Sequence, residues 1–334
     1  MSATLGVAFA AGVIAAVAVA IVLRLAPALG LVSHANHRSS HTQATPTGGG
    51  IGIVLAVALV GGYLCLFTPQ FALPLVLAVL IGAVGLADDI SPVAAQWRLL
   101  AQAIAVGTIM LTLAGPQLAG SIGPIGLLIV MLVLLGAGMW WINLYNFLDG
   151  IDGYAACQGI FMVGAALGLS LWDGALIQHP LIALLAMTAA AIAGFLLFNW
   201  APAKIFMGDV GSTFLGFWLW CLMLLTILAG WLSAWQWLIL AGLFIADASV
   251  TLIVRLRLGA SPTEAHKNHA YQKLSRRWGG HPRVVLSAIA ANLLIVLPAA
   301  FFAGLWPDFA PVLTLGVYLV LAGATFFTRA GHPD

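Results

Sequence analysis

Asp88 and Asp89 are adjacent carboxylates at the end of an apolar run, directly before Ile90-Ser91-Pro92. At a helix C-terminus such a pair repels itself and faces the negative end of the helix dipole. A divalent cation or a basic partner relieves both. Asn143, Asn146, Asp149 and Asp152 follow at three-residue spacing in NLYNFLDGIDG, which predicts a polar ridge continuing an apolar helix. The alternate acidic positions and distal Glu of an EF-hand are missing. Asn199 precedes APAKIFMGDVGS, where Lys204, Phe206 and Asp209 stand among glycines before another apolar run. Asp209-Val-Gly-Ser suits a helix N-cap, and glycine-rich backbone at a helix start also suits a phosphate. Lys204 fits a phosphate there, and Phe206 a stacked base.

Two further stretches carry candidate groups. Residues 255–283 hold Arg255, Arg257, Lys267, Lys273, Arg276, Arg277 and Arg283 together with His266, His269 and His281. His-x-x-His without cysteine is not a standard zinc pattern, and a basic stretch also reads as a lipid-headgroup contact. SHANHRSSHTQATPTGGGIG contains His34, His37, Arg38 and His41 before Gly48–Gly50. Its glycines lack the strand context of a dinucleotide fingerprint, and close helix packing accounts for them in part. Carboxylates near a membrane surface suit Mg²⁺, which takes one or two of them plus phosphate oxygens. Together these groups suit metal-assisted phosphoryl transfer.

The elements that position them must lie in lipid. Of 334 residues, 63% are hydrophobic and 7% charged, with mean hydropathy +1.09; a soluble domain carries about 25% charged residues. A net charge of +2 lacks the basic footprint of a nucleic-acid binder. Cys65, Cys157 and Cys221 sit in apolar runs, where thiols act as small buried hydrophobes. Apolar runs fall at 3–23, 49–67, 74–87, 97–114, 122–142, 154–172, 180–198, 211–229, 235–254, 284–304 and 311–328. They are too long and continuous for the alternating strands of a barrel. The expectation is an all-α, polytopic transmembrane bundle of about eleven helices, forming a single domain over 1–334. All twelve Lys and Arg fall on one side, in alternate gaps, at the near end of a run (Arg98) or after the last one (Arg329), which the positive-inside rule makes cytoplasmic, with the N-terminus outside and the C-terminus inside. Asp88, Asp89, Asp149, Asp152, Asp209 and Glu264 share that side. Asp247 lies within the ninth run and, as a carboxylate in a membrane span, is a functional candidate without a role.

The ordered set PTGGG (46–50), Asp88-Asp89, NFLDGIDG (146–153), N-x-x-PAKIFMGDVGS (199–212) and HxxHAYQ (266–272) resembles the polyprenyl-phosphate N-acetylhexosamine-1-phosphate transferase superfamily, glycosyltransferase family 4. The likeness spans nearly the whole chain, and five motifs in order are specific where any one is not. RSSH…PTGGG and HAYQ look most like the O-antigen-initiating branch. The resemblance implies transfer of N-acetylhexosamine-1-phosphate from a UDP-sugar such as UDP-GlcNAc or UDP-FucNAc to undecaprenyl phosphate, releasing UMP, with Mg²⁺ or Mn²⁺. It places this at the cytoplasmic face of a bacterial inner membrane, with a homodimer a common state. By motif position it implies Asp209 as main metal ligand with Asp89. Asp88 and Asp89 would act on the lipid phosphate and the metal, with Asp88 as general base or nucleophile, and His266 and His269 on the diphosphate or sugar. Arg38, His41, Asn143, Asn146, Asp149, Asp152, Asn199, Lys204 and Phe206 would bind substrate.

Two departures bear on that set. The related muramyl-pentapeptide translocase has three consecutive histidines where this chain has His266-Lys-Asn-His269, which speaks against that substrate. The basic residue expected soon after the aspartate pair is delayed to Arg98. An ion-coupled transporter is the rival reading. Carriers, however, place their sites near the midplane on paired repeats, whereas here most acids gather at one face.

Overall fold

The computed structural model describes residues 2–33, 44–261 and 266–333. Within them the helices run α1 (Ser2–Leu25), α2 (Gly50–Cys65), α3 (Ala72–Ile90), α4 (Ala95–Ile109), α5 (Gly115–Ala119), α6 (Pro124–Phe147), α7 (Tyr154–Trp172) and α8 (Pro180–Asn199). After them come α9 (Gly208–Leu228), α10 (Ala234–Leu240), α11 (Gly242–Arg257), α12 (Ala270–Trp278), α13 (His281–Ala291), α14 (Leu297–Leu305) and α15 (Ala310–Phe327). π-helical turns at Met110–Ala114 and Asn292–Val296 join α4 to α5 and α13 to α14. The protein is a polytopic helical bundle.

Nine spans among the described residues are long and apolar enough to cross a membrane. Two of the eleven apolar runs do not make straight crossings. The run at 49–67 forms only the 16-residue α2, which at about 1.5 Å per residue is shorter than a hydrocarbon core of roughly 30 Å. The run at 235–254 breaks at Ala241 into α10 and α11, bent by 71°. The bend frees the Leu240 carbonyl, which accepts from Gln158 Nε2 at 3.1 Å, and Gln158 Oε1 in turn accepts from Asn292 Nδ2 at 2.7 Å. A buried carbonyl without a partner is costly in lipid, so this side-chain relay stabilises the break.

The centre of the bundle is α9, buried without interruption from Val210 to Thr226. Helices α2, α3 and α6 pack on it, and α1 lies along α8 and α2. Two indoles are tied to threonines there: Trp218 Nε1 donates to Thr188 Oγ1 at 2.9 Å and Trp237 Nε1 to Thr226 Oγ1 at 2.8 Å, whereas the buried Trp220 Nε1 of α9 has no partner among the described residues. At the start of α2, Gly50 meets Gly211 of α9 so closely that a Cβ on Gly50 would sit 2.2 Å from the Gly211 Cα. The glycine run in PTGGG is thus helix packing in part, as its composition suggested. Its other part is a clamp. Two short antiparallel strands, β1 (Val32–Ser33) and β2 (Thr45–Pro46), pair Val32 with Pro46. The Pro46 carbonyl accepts from Phe206 N–H at 2.8 Å, and Gly49 N–H and Gly50 N–H donate to Phe206 O and Met207 O at 2.9 and 2.8 Å. The PTGGG segment therefore fixes the backbone around Phe206 just before α9 begins.

Candidate active site

The C-terminal ends of α3 and α6 meet the N-terminal end of α9, and this junction assembles the carboxylates. Asp89 turns its side chain onto the start of α9, where its Oδ1 and Oδ2 accept the N–H groups of Asp209 and Val210 at 2.9 and 3.0 Å. The carboxylate that faced an unfavourable dipole at the end of its own helix thus lies against the favourable end of another. Gly208 makes this approach feasible: its φ is +76°, and a Cβ there would stand 2.6 Å from Asp89 Oδ2. Two of the first-turn amides of α9 are therefore taken by Asp89, which leaves less of that helix start for a phosphate than its sequence suggested.

Asp88 diverges from its neighbour. Its Oδ1 accepts the Val93 N–H at 2.6 Å, and its Oδ2 accepts from the Arg98 guanidinium. Arg98 also reaches Asp209 Oδ2 at 3.2 Å. The Ser91-Pro92 turn and the first turn of α4 supply the reversal that brings Arg98 back, which explains why the basic partner comes so late in sequence. Asn146 completes the junction, with its Nδ2 donating to Asp209 Oδ1 at 2.9 Å and to Ser212 Oγ at 2.8 Å.

Two clefts open from this junction. One is a cavity of about 300 Å³ lined by Asp89, Asn146, Asp149, Asp152, Asn199, Phe206 and Asp209, together with Ser33, Thr47, Gln272, His281 and backbone around Gly150 and Gly208. The other is narrow, about 50 Å³, and lined by Arg98, Gln102, Asn143, Thr213 and the apolar Ile81, Val84 and Phe147. Asn146 and Asp209 line both.

The expected ridge is split by this arrangement. Helix α6 ends at Phe147, so Asn143 and Asn146 are helical while Asp149 and Asp152 stand on the following loop. Asn143 bonds Gln102 Oε1 at 2.7 Å and faces the narrow cleft, away from the larger cavity. Asp149 is recessed at the cavity wall. Desolvation first, then the Asp209, Asp89 and Asp152 carboxylates, push its acid well above the usual range. Asp152 accepts the Ala203 N–H at 3.1 Å and lies 3.2 Å from His281 Nδ1. Asn199, 3% exposed, uses its amide as a backbone brace, accepting from Gly153 N–H at 2.9 Å and donating to Ile205 O at 3.0 Å. Lys204 is exposed on its loop and lines neither cleft.

His266 and His269 also lie outside both linings. Their rings are 4.9 Å apart, and that of His269 lies 6.5 Å from Phe147. Burial, with His269 and Arg255 nearby, pushes the His266 imidazole down to about 4, so it is neutral at pH 7. His269 Nδ1 sits 3.2 Å from Asp247 Oδ1. Asp247 accepts in addition from Thr251 Oγ1 at 3.0 Å and from the Ala270 and Tyr271 N–H groups at 2.9 and 3.0 Å. The unexplained intramembrane acid is the anchor of α12. Arg38 and His41, with His34, His37 and Glu264, fall outside the described residues.

Sequence reasoning passed over Gln272 and His281 as site residues. Gln272 belongs to the HAYQ motif, and His281 follows the Gly279-Gly280 break that ends α12, so each had a local signal. The length of α12 hid both: nine residues with three basic side chains read as a loop.

Among the described residues no three His, Cys, Asp or Glu side chains converge on one point. Mg²⁺ does not require three: it commonly takes one or two carboxylates, substrate phosphates and water. Asp209, with the aspartate pair beside it, offers hard oxygen donors at the mouth shared by both clefts, a donor set that fits this ion.

A family model described as glycosyl transferase family 4 matches residues 71–227. The chain is 29% identical over 332 residues to an Escherichia coli K12 protein named undecaprenyl-phosphate alpha-N-acetylglucosaminyl 1-phosphate transferase, covering 91% of this chain and 84% of that protein. A Mycolicibacterium smegmatis decaprenyl-phosphate N-acetylglucosaminephosphotransferase is 30% identical over 298 residues, 78% of this chain and 73% of that protein. A Shouchella clausii phospho-N-acetylmuramoyl-pentapeptide-transferase is 34% identical over 195 residues, 52% of this chain and 58% of that protein.

Proposed function

From its membership of glycosyl transferase family 4, we propose that this chain transfers N-acetylhexosamine-1-phosphate from a UDP-sugar to undecaprenyl phosphate and releases UMP. The observation that carries the reading is the pair of clefts ending on the same two residues, Asn146 and Asp209. The larger, with Phe206 on its wall, takes the sugar nucleotide, and the narrow, apolar-sided one with Arg98 takes the lipid phosphate. An oxygen of the lipid phosphate attacks the sugar-bearing phosphorus, the phosphoanhydride to the uridine-bearing phosphate breaks, and UMP leaves with that electron pair.

Asp209 and the adjacent aspartates would hold Mg²⁺ or Mn²⁺, which when bound neutralises developing phosphate charge. Asp89 positions Asp209 through the backbone of α9. Asp88 is engaged on one oxygen by Val93 N–H and on the other by Arg98, which favours a positioning role over nucleophilic attack. A phosphate monoester is already largely dianionic at pH 7, so placement and charge neutralisation dominate over base catalysis. The site end faces the cytoplasm of a bacterial inner membrane, in keeping with the distribution of Lys and Arg. UDP-GlcNAc and UDP-FucNAc are the donors to compare first, for entry into O-antigen-type glycan synthesis.

The test is UMP release by purified protein in detergent with undecaprenyl phosphate, Mg²⁺ and a panel of UDP-N-acetyl sugars. UMP that depends on both lipid and metal supports the transferase. Folded protein that releases none with any sugar would return the ion-coupled transporter to the front.

A further inference from the structure

The larger cavity has an unbalanced wall. Its described lining contributes Asp89, Asp149, Asp152 and Asp209 but neither lysine nor arginine. Arg98 opens onto the narrow cleft instead. No cation of residues 255–283 is among the described lining residues either; Arg283 Nη1 donates to Trp278 O at 2.6 Å and Arg276 Nη2 to Lys267 O at 3.1 Å. One basic side chain remains among the described lining residues, and it is His281.

His281 is held in a defined way. It is the first residue of α13, where the helix dipole favours a nearby anion. Its Nδ1 lies 3.2 Å from Asp152 Oδ2 and 3.3 Å from the Asp152 backbone nitrogen. Asp152 is itself fixed, since its Oδ2 also accepts the Ala203 N–H at 3.1 Å. If the ring is neutral and Nδ1 accepts the Asp152 N–H, the proton is on Nε2. If the ring is charged and Nδ1 donates to the carboxylate, Nε2 carries a proton as well. Both arrangements present Nε2–H to the cavity, whereas a neutral ring protonated on Nδ1 would present a bare acceptor, and an anionic oxygen at Nε2 selects the first two.

We propose that His281 contacts the substrate, donating Nε2–H to a diphosphate oxygen of the sugar nucleotide, and that Asp152 is its positioning residue. This rests on the reading of the cavity as the sugar-nucleotide site. It assigns Asp152, expected from its motif to touch the nucleotide, to orienting the group that does.

The experiment is binding to the purified full-length protein in detergent with Mg²⁺, using UDP and uridine as separate probes. Asparagine copies the Nδ1 side of histidine and glutamine the Nε2 side. His281→Asn should weaken UDP about tenfold, within the range of a lost charge-assisted hydrogen bond, and leave uridine unchanged. His281→Gln should recover part of the loss. Asp152→Asn should weaken UDP while sparing uridine, and combining it with His281→Asn should add little. Unchanged uridine affinity also certifies a folded cavity. If His281→Asn does not fold, Asp152→Asn reads the same contact. Wild-type UDP affinity in the folded variants overturns the assignment, as does an equal loss for UDP and uridine, which would mark His281 as merely shaping the wall. Wild-type protein that binds neither probe overturns the nucleotide-site reading itself, whereas wild-type binding with insensitive variants overturns only the role of His281.

Discussion

Asp89, at the end of α3, accepts the first-turn N–H groups of α9 at 2.9 and 3.0 Å, and Asp247, inside α11, accepts those of α12 at 2.9 and 3.0 Å. Each carboxylate serves a helix far along the chain, and each lies against the positive end of that helix's dipole. Their company differs. Asp247, 3% exposed, also receives Thr251 Oγ1 and His269 Nδ1, so its surroundings supply several donors. Asp89 lies on a cavity wall with Asp149, Asp152 and Asp209, and no ion pair to it is present among the described residues. The same anchoring device is satisfied from within at α12 and left negative at α9. Architecture accounts fully for the first; the second keeps negative charge that a bound cation would offset.

The comparison is most exposed at Asp209. Asp209→Asn keeps the size of the side chain but removes the charge that both clefts share, and UMP release should fall by roughly 10³-fold with the fold intact, as for loss of a group that stabilises transition-state charge. Normal Mg²⁺-dependent turnover in this variant would refute the metal assignment. Asp247→Ala should act on stability, because it strands His269 and two amides in a buried site. Removing one partner of such a buried arrangement costs about 3–5 kcal/mol, read as a lower thermal midpoint and early proteolysis at α12. Asp89→Asn should separate the two effects. Asparagine caps a helix nearly as well as aspartate, so stability should change by less than about 1 kcal/mol, while turnover drops by roughly 10²-fold. Were Asp89→Asn to unfold the protein and Asp247→Ala to spare it, the contrast between the anchors would be reversed. Phe206→Ala touches neither anchor; loss of a stacked base should raise KM for the UDP-sugar about tenfold with kcat little changed.

Much of this site is legible in the chain because polar residues stand out at the ends of apolar runs. Asp88, Asp89, Asn146, Asp149, Asp152 and Asp209 are found that way, as is the helical bundle itself. What escaped depends on contacts between distant segments. Nothing local says that Asn199 spends both amide atoms on Gly153 and Ile205, or that Asn143 turns to Gln102. Three-residue spacing suggested a continuous ridge, but the Gly150 and Gly153 segment allowed α6 to stop at Phe147. Hydropathy likewise counts α10 and α11 as one run, since a 71° bend leaves composition untouched. The role of Asp247 was invisible for the same reason: apart from Thr251, its partners lie 22 to 24 residues away at the start of a short basic helix.

Asp149 offers the smallest and most direct gauge of the uncompensated side. Desolvation and the Asp209, Asp89 and Asp152 carboxylates raise its acid well above the usual value. The folded chain therefore holds a proton that the unfolded chain releases above about pH 3.9. Stability tied to this group is fully present below that pH and is lost as pH rises toward the folded-state value. Asp149→Asn has no proton to hold, so its thermal midpoint should stand above that of the wild type at pH 7, with the gap closing toward pH 4. Mg²⁺ should narrow the gap at pH 7, because a cation among these carboxylates relieves the repulsion that, after desolvation, raises the Asp149 acid. A gap that is constant with pH would mean that Asp149 titrates normally in the folded protein. The acids around Asp89 would then be as well compensated as the donors around Asp247, and the difference between the two anchors would lie in geometry alone.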